Sequence, residues 1–347
     1  MTEPVIRSGR DSDADGLVAL ISACWGEYPS IKIDIDAEAP ELRALASCYG
    51  GKGGALWAAE ASGRIVGMIG AVPRSDGVWE IVRLYMLNPY RGTDLAPRLL
   101  ATAEAHSRAA GATRLVLWSD TRFDRAHRFY EKRSYVRHGP IHVLHDISNS
   151  LEFGYAKPIS GIELLDTAAA ASAERRLAEI LRACVDAGAS VSYLPPLALN
   201  VAGGFWRRMA ADVAAGTRIL LAAWDNAELV GAVMLEFASS PNQPHRAEVQ
   251  KLLVHPDARR SGVARRLMTR LEIEAARVGK MLLTLDTRAG DAAENLYRSM
   301  GWHEAGRIPG YALNAERTPC DTIFFWKTID QPSAVPAGPF AEPPPSC

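Results

Sequence analysis

The sequence has no run of eighteen apolar residues, so no helical membrane span is expected. Met1-Thr2-Glu3-Pro4-Val5-Ile6-Arg7 lacks a basic stretch followed by a hydrophobic one, so no secretory signal is expected either. Charge of one sign is also missing. The 39 Lys and Arg nearly cancel the 40 Asp and Glu, which argues against a general nucleic-acid partner or a membrane-surface role. Cysteine is sparse, with Cys24, Cys48, Cys184, Cys320 and Cys347 far apart, no CxxC pair and no neighbouring histidine. That usage excludes a disulfide framework and a structural zinc site, implies no metal, and fits a reducing cytoplasm. Each thiol is better read as idle than as a nucleophile.

What is present is length and apolar content. With 347 residues and 48% apolar residues, the chain suits two domains, each able to bury a core. The last stretch, QPSAVPAGPFAEPPPSC from Gln331 to Cys347, has no periodic pattern and reads as a disordered tail. Lys157-Pro158-Ile159-Ser160-Gly161 separates two periodic regions, giving expected domains at 1–157 and 160–330.

The first region reads as a strand at Val5-Arg7, a helix capped by Asp11 or Asp13 and running to Trp25, and a helix over Ala39-Cys48. Strands follow at Ala55-Glu60, Ile65-Val72 and Trp79-Leu87. After them come a helix at Leu95-Ala110, a strand at Arg114-Trp118, a helix at Arg122-Lys132 and a closing strand. The second region repeats the order. A strand at Ile162-Leu165 precedes helices Ser172-Ala187 and Leu197-Ala214, then a hairpin of Arg218-Trp224 and Glu228-Phe237 turning at Asp225-Asn226. Strand Ala247-Val254, helix Gly262-Val278, strand Met281-Asp286, helix Asp291-Met300 and strands at Trp302-Arg307 and Asp321-Thr328 complete it. Glu80-Ile81-Val82-Arg83-Leu84 parallels Glu248-Val249-Gln250-Lys251-Leu252, and Pro89 precedes Tyr130 by the interval that separates Pro256 from Tyr297. This spacing indicates an internal duplication. The fold class is α/β, each half a mixed, mostly antiparallel central sheet flanked by helices, with one strand-helix-strand crossover.

The segment Arg259-Arg260-Ser261-Gly262-Val263-Ala264 joins a strand to a helix. Backbone N–H groups at a helix N-terminus hold a diphosphate well, a glycine lets the backbone approach, and Arg259, Arg260 and Arg265 add attraction. The same residues also suit a plain basic turn. The glycine-lysine-serine/threonine ending of a phosphate-binding P-loop is absent, as is a dinucleotide fingerprint.

Strand, R-x-x-G-x-A and helix, with Asn295-Leu296-Tyr297 and Gly301-Trp302 further on, resemble the GNAT N-acetyltransferases. The resemblance implies an acyltransferase using acetyl-CoA, bound by Leu252, Leu253, Val254, the loop from Arg259 to Arg265 and Asn295. The half from 160 to 330 is similar to the tabtoxin-resistance and streptothricin acetyltransferases, through Gly188-Ala189-Ser190-Val191, Arg246-Ala247-Glu248-Val249-Gln250-Lys251-Leu252, Leu285-Asp286-Thr287, Pro309-Gly310-Tyr311 and Phe324-Phe325-Trp326-Lys327.

Acetyl transfer to an amine needs a base, a polarised carbonyl and a proton for the departing thiolate. The resemblance implies Glu248 as base, Asp286 as the group orienting the amine, Tyr297 as acid and a backbone N–H near Leu253 as the oxyanion donor. Each has a plainer reading: a cross-strand ion pair, a helix cap and a packed aromatic, respectively, for the three side chains. Trp206 and Trp224 read as core, and His245, His255 and His303 as surface or loop residues. The partner expected is a small-molecule amine acceptor, with a homodimer admissible and a protein or peptide acceptor as the alternative.

In the first half, Arg91-Gly92-Thr93-Asp94-Leu95-Ala96 with Tyr130 also resembles the family, and Arg91, Gly92, Thr93, Leu95, Ala96 and Tyr130 are candidate cofactor contacts. Asp94 departs from the pattern, standing where glycine is expected. Its carboxylate would repel a pyrophosphate unless it points to solvent or caps the helix. The expectation is a degenerate half, structural or a non-catalytic acyl-CoA-binding regulatory domain, with an active second site for a different substrate as the alternative.

Overall fold

A computed structural model describes residues 2–32, 34 and 39–330. The tail expected at Gln331–Cys347 therefore lies outside the described residues. The chain divides into two compact units, with the division between Ile159 and Ser160.

In the N-terminal unit, β1 (Val5–Ser8) leads to α1 (Ala14–Trp25), α2 (Leu45–Gly51), β2 (Ala55–Ala61), β3 (Arg64–Ser75) and β4 (Val78–Met86). Then come α3 (Leu95–Ala109), β5 (Arg114–Asp120), α4 (Asp124–Glu131), β6 (Val136–Arg137), β7 (His142–Val143) and β8 (Leu151–Pro158). The C-terminal unit contains β9 (Gly161–Leu164), α5 (Thr167–Asp186), α6 (Leu199–Ala214), β10 (Arg218–Asp225), β11 (Glu228–Phe237) and β12 (Arg246–Val254). It continues with α7 (Val263–Arg277), β13 (Leu282–Arg288), α8 (Ala292–Ser299), β14 (His303–Leu313) and β15 (Pro319–Thr328).

The first sheet has the order β1-β2-β3-β4-β5-β8-β6, with β7 paired to β8; the second, read from its β9 edge, is β9-β10-β11-β12-β13-β15-β14. The two orders coincide strand for strand. Each sheet has one parallel pair, β4 with β5 and β12 with β13, joined by a crossover helix. Both faces of the second sheet are covered, which is why β10 reads as an almost continuous apolar run. Ile219, Leu221 and Ala223 join the core beneath α7, while Leu220 and Ala222 join the core beneath α5 and α6. Gly231 lets α7 sit close, since a Cβ there would meet the Leu253 carbonyl at 2.7 Å and Val263 at 3.2 Å.

Local departures from the expected elements have physical causes. Asp13 is the N-cap residue of α1, but its side chain makes no capping bond. Asp13 accepts from the Arg10 N–H at 2.9 Å and from Arg7, and Asp11 accepts from the Ser47 N–H at 3.0 Å. The segment expected as one helix over Ala39-Cys48 is a 3-10 turn at Pro40–Ala44 followed by α2. Helix α5 starts at Thr167 rather than Ser172, because Asp166 caps it, accepting from the Ala169 N–H at 2.8 Å ahead of an alanine run. The hairpin turns at Asn226-Ala227, whose φ values of 50° and 63° suit a two-residue loop, and Asp225 pairs with Glu228 in the ladder.

Candidate active site

The site is built by a fork in the second sheet. The parallel ladder of β12 and β13 runs Arg246–Leu282, Ala247–Leu283 and Glu248–Thr284, then stops. Beyond that point β12 carries a bulge. Ala232 faces Leu253 but Met234 faces Gln250, and Lys251 takes φ 52°. The N-terminal unit has the same device, with its ladder ending at Glu80–Val116 and Arg83 at φ 53°. A positive φ on a long basic residue leaves no mark in the sequence pattern.

Glu248 therefore sits at the vertex of the fork and Asp286 on the opposite prong. Glu248 is half-buried and accepts from the Gln250 side-chain amide at 3.1 Å. Gln250 in turn donates to Glu236 at 2.7 Å and accepts from Arg218 at 2.9 Å. A neutral amide thus orients the carboxylate while no cation covers it among the described residues. Asp286 is open to solvent at its tip, but the protein packed around it, then the charge of Glu248, push its carboxyl up, and Lys251 opposes them. Lys251 donates to Ser192 at 3.0 Å, and burial, with help from Arg218, pushes its ammonium down. Gln250, Arg218 and Lys251 were not singled out as functional by the sequence. For Gln250 and Lys251 the signal was that EVQKL parallels EIVRL; Arg218, on β10, had none.

Tyr297 is buried on α8 with its ring 6.0 Å from those of both Trp302 and Phe325. Burial, then the Asp286 charge, push its phenol up, so it keeps its proton and has an O–H to donate. The backbone N–H groups follow the phase of the ladder. His255 N–H bonds to Val230 at 2.8 Å, so Leu253 opposite Ala232 lies in the bonded phase facing β11. Val254 faces away from β11, and its carbonyl accepts from Arg259 at 3.4 Å and from the Cys184 thiol at 3.3 Å. Next to Leu253, the N–H that does not face β11 is therefore that of Val254.

The loop after β12 is exposed from Arg259 to Gly262. Arg260 at φ 64° and Gly262 at φ 78° bracket Ser261, and Gly262 is the left-handed N-cap of α7. Such alternation turns successive N–H groups toward one concavity. Arg259, Arg260 and Arg265 have no carboxylate partner among the described residues; Arg265 donates to Ser299 at 2.7 Å. Asn295 is exposed on α8. The donor set fits a pyrophosphate.

In the N-terminal unit the corresponding groups are covered. Arg74 pairs with Glu80, Glu41 with Arg83, and Glu27 with Arg91, which also donates to the Met86 carbonyl at 3.1 Å. Asp94 neither caps α3 nor faces the loop. It is 72% exposed, lies 3.5 Å from Arg98 and has φ −77°, so this loop keeps the left-handed residue at Gly92 but loses the second one. The loop arginine is engaged by Glu27, a residue with no counterpart in the loop motif.

Glu152 on β8 adds a titration. Burial, then the charges of Glu80, Asp120 and Asp146, push its carboxyl from 4.5 up to about 7. The folded state therefore holds a proton that the unfolded chain has already released. Its stabilising contribution is complete below pH 4.5 and lost as pH rises through 7, up to about 3 kcal/mol. Thermal unfolding followed from pH 5 to 8 is expected to fall by several degrees, and Glu152→Gln to flatten that slope; an unchanged slope would show that Glu152 does not set it.

Two of the sequence's plainer readings concern the tryptophans and histidines. Trp206 is in the core beneath α5 and α6, with Trp224 packed against it. His303 stacks on Trp326 at 4.7 Å, and His255 accepts from the Asp257 N–H at 3.4 Å.

The model of the acetyltransferase (GNAT) family matches residues 17–135 and 196–302. Among solved structures, an acetyltransferase from Streptococcus agalactiae is 20% identical with a TM-score of 0.41, covering 46% of this chain and 100% of its own. A putative acetyltransferase from Salmonella typhimurium, solved with its cofactor acetyl-CoA, is 21% identical with a TM-score of 0.41, covering 51% and 98%. A ribosomal-protein-alanine N-acetyltransferase from Brucella melitensis is 21% identical with a TM-score of 0.42, covering 48% and 99%. No helix among the described residues is long and apolar enough to cross a membrane.

Proposed function

The chain belongs to the acetyltransferase (GNAT) family, and from that premise we propose that its C-terminal unit transfers acetyl from acetyl-CoA to a primary amine of a small molecule. The observation that carries this reading is the contrast between the units. Among the described residues Glu248 and the loop arginines form no ion pair, whereas Glu80 and Arg91 are paired.

Acetyl-CoA supplies an activated thioester carbonyl, and the residues from Arg259 to Arg265 at the start of α7 would hold its pyrophosphate. Glu248 takes the proton of the ammonium, directly or through a water, and so readies the amine for direct attack in a ternary complex. Asp286 holds the cationic acceptor before that proton leaves. Its raised affinity for a proton matches a site that prefers a positive ligand. Val254 offers its N–H to the carbonyl oxygen, and Tyr297 donates a hydrogen bond to the departing sulfur. The resemblance of RAEVQKL and LDT to tabtoxin-resistance and streptothricin acetyltransferases favours an antibiotic-like or amino-acid-like amine as acceptor.

A thiol-release assay on the full chain tests this reading with acetyl-CoA and a panel of amino acids, polyamines, aminoglycosides and free-N-terminus peptides. Release with the small amines and none with the peptides is expected. Release with peptides alone would transfer the assignment to a protein acceptor, and no release with any amine would remove it.

A further inference from the structure

Lys251 sits where β12 bulges, at φ 52°, and a bulge re-aims the side chain it carries. The residue is half-buried. Its ammonium donates to the Ser192 hydroxyl at 3.0 Å and lies 5.7 Å from the centre of the Phe205 ring. Among the described residues it forms no ion pair, although the charges of Asp286, Arg218 and Glu248 all reach it. A hydroxyl and a ring face are weak partners for an ammonium that has given up part of its water. The N-terminal unit shows the compensated case. Arg83 stands at the matching place in Glu80-Ile81-Val82-Arg83-Leu84, also with positive φ, and its guanidinium donates to the Glu41 carboxylate. In the C-terminal unit the side chain that meets the cation is a neutral serine.

Glu248 and Asp286 attract a cationic acceptor, and by the same charge they repel a carboxylate. A cation beside them, with no counter-ion of its own, reverses that repulsion for an acceptor whose two charges lie close together. We infer that Lys251 is a specificity-determining residue that binds the carboxylate of the acceptor, so that the preferred acceptors are zwitterionic amino acids. Ser192 supplies a second donor, because its hydroxyl accepts from Lys251 and keeps its own hydrogen for a carboxylate oxygen. The ammonium of the same molecule then lies toward Asp286 and Glu248. This inference rests on the acetyl-transfer reading of the C-terminal unit and narrows its acceptor. The plainer role for Lys251, a distant counter-charge to Asp286, makes a different prediction, since it would serve every amine alike.

Thiol release by the full chain with acetyl-CoA tests it, using phenylalanine, lysine and β-alanine, each against its carboxamide. The amide keeps the amine and removes the negative charge. Wild type is expected to prefer at least one acid over its amide in kcat/KM by about tenfold or more, the scale of one charge-assisted hydrogen bond. Lys251→Met should abolish that preference and Lys251→Arg should retain part of it; both keep a long side chain at the same positive φ. The ratio of acid to amide, rather than either rate, separates the two roles, because a counter-charge to Asp286 would move both together. Thermal midpoints show that each variant is folded, and Ser192→Ala, at an exposed position, should give a smaller loss of the same ratio. No preference in wild type, a preference that survives Lys251→Met, or an equal loss for acid and amide would each overturn the inference. Release with amides alone would overturn it and leave the acetyl-transfer reading standing, whereas no release from any acid, amide or other amine would remove both.

Discussion

Glu248→Gln is expected to slow acetyl transfer by about a hundredfold or more, the usual range for losing a positioned general base. Acetyl-CoA affinity should stay nearly intact, because the loop from Arg259 lies beyond the end of β12 and makes no hydrogen bond to Glu248. Glu80→Gln is the internal control. Its carboxylate is already neutralised by Arg74, so the same change in the other unit should leave the rate unaltered. Gln250→Leu separates positioning from chemistry. It removes the donor that links Glu248 to Glu236, which keeps its ion pair with Arg218 while Glu248 loses its positioning hydrogen bond. The expected result is a lower kcat, by up to about a hundredfold through misplacement, with KM for acetyl-CoA little changed. Tyr297→Phe should also lower the rate, without a change in the pH profile, since the phenol stays protonated. Pre-steady-state thiol release in all four variants would show this ordering. Equal rates in wild type, Glu248→Gln and Tyr297→Phe would remove both residues from the mechanism.

The duplication was legible because it is written in local signals: apolar alternation for strands, 3.6-residue periodicity for helices, and a constant interval from proline to tyrosine. Those signals also brought Glu248, Asp286 and Tyr297 onto the right elements. The difference between the units was not legible, since it rests on pairs distant in sequence. Glu27 meets Arg91 and Glu41 meets Arg83 only because α1 and the turn before α2 pack beside the fork. Asp94 drew attention as the residue that breaks the motif, yet its side chain points outward to Arg98. The bulges were equally hidden, since Lys251 and Arg83 adopt left-handed backbone with no glycine to announce it. Sequence position identified the candidates, and three-dimensional pairing decides which of them are available for chemistry.

Gly262→Asp, which copies the N-terminal loop into the C-terminal one, is expected to weaken acetyl-CoA binding by tenfold or more. Two effects combine, and Gly262→Ala separates them. Gly262 has φ 78°, so any side chain is strained there by about 1 kcal/mol, although a Cβ would meet nothing closer than the Arg266 guanidinium at 3.5 Å. Alanine carries that strain alone, and should cost mainly stability. Aspartate adds a negative charge at the edge of the loop, within reach of Arg266, so any electrostatic excess over alanine should shrink as salt is raised. Calorimetric titration with CoA at low and high ionic strength reads both effects; equal affinities for the alanine and aspartate variants would leave backbone geometry as the whole cause. The reverse exchange is more informative still. If Asp94 alone silenced the N-terminal loop, Asp94→Gly would raise the stoichiometry to two CoA per chain. With Glu27 holding Arg91, that single change is expected to leave it at one, and a second site should emerge only when Glu27→Gln is added.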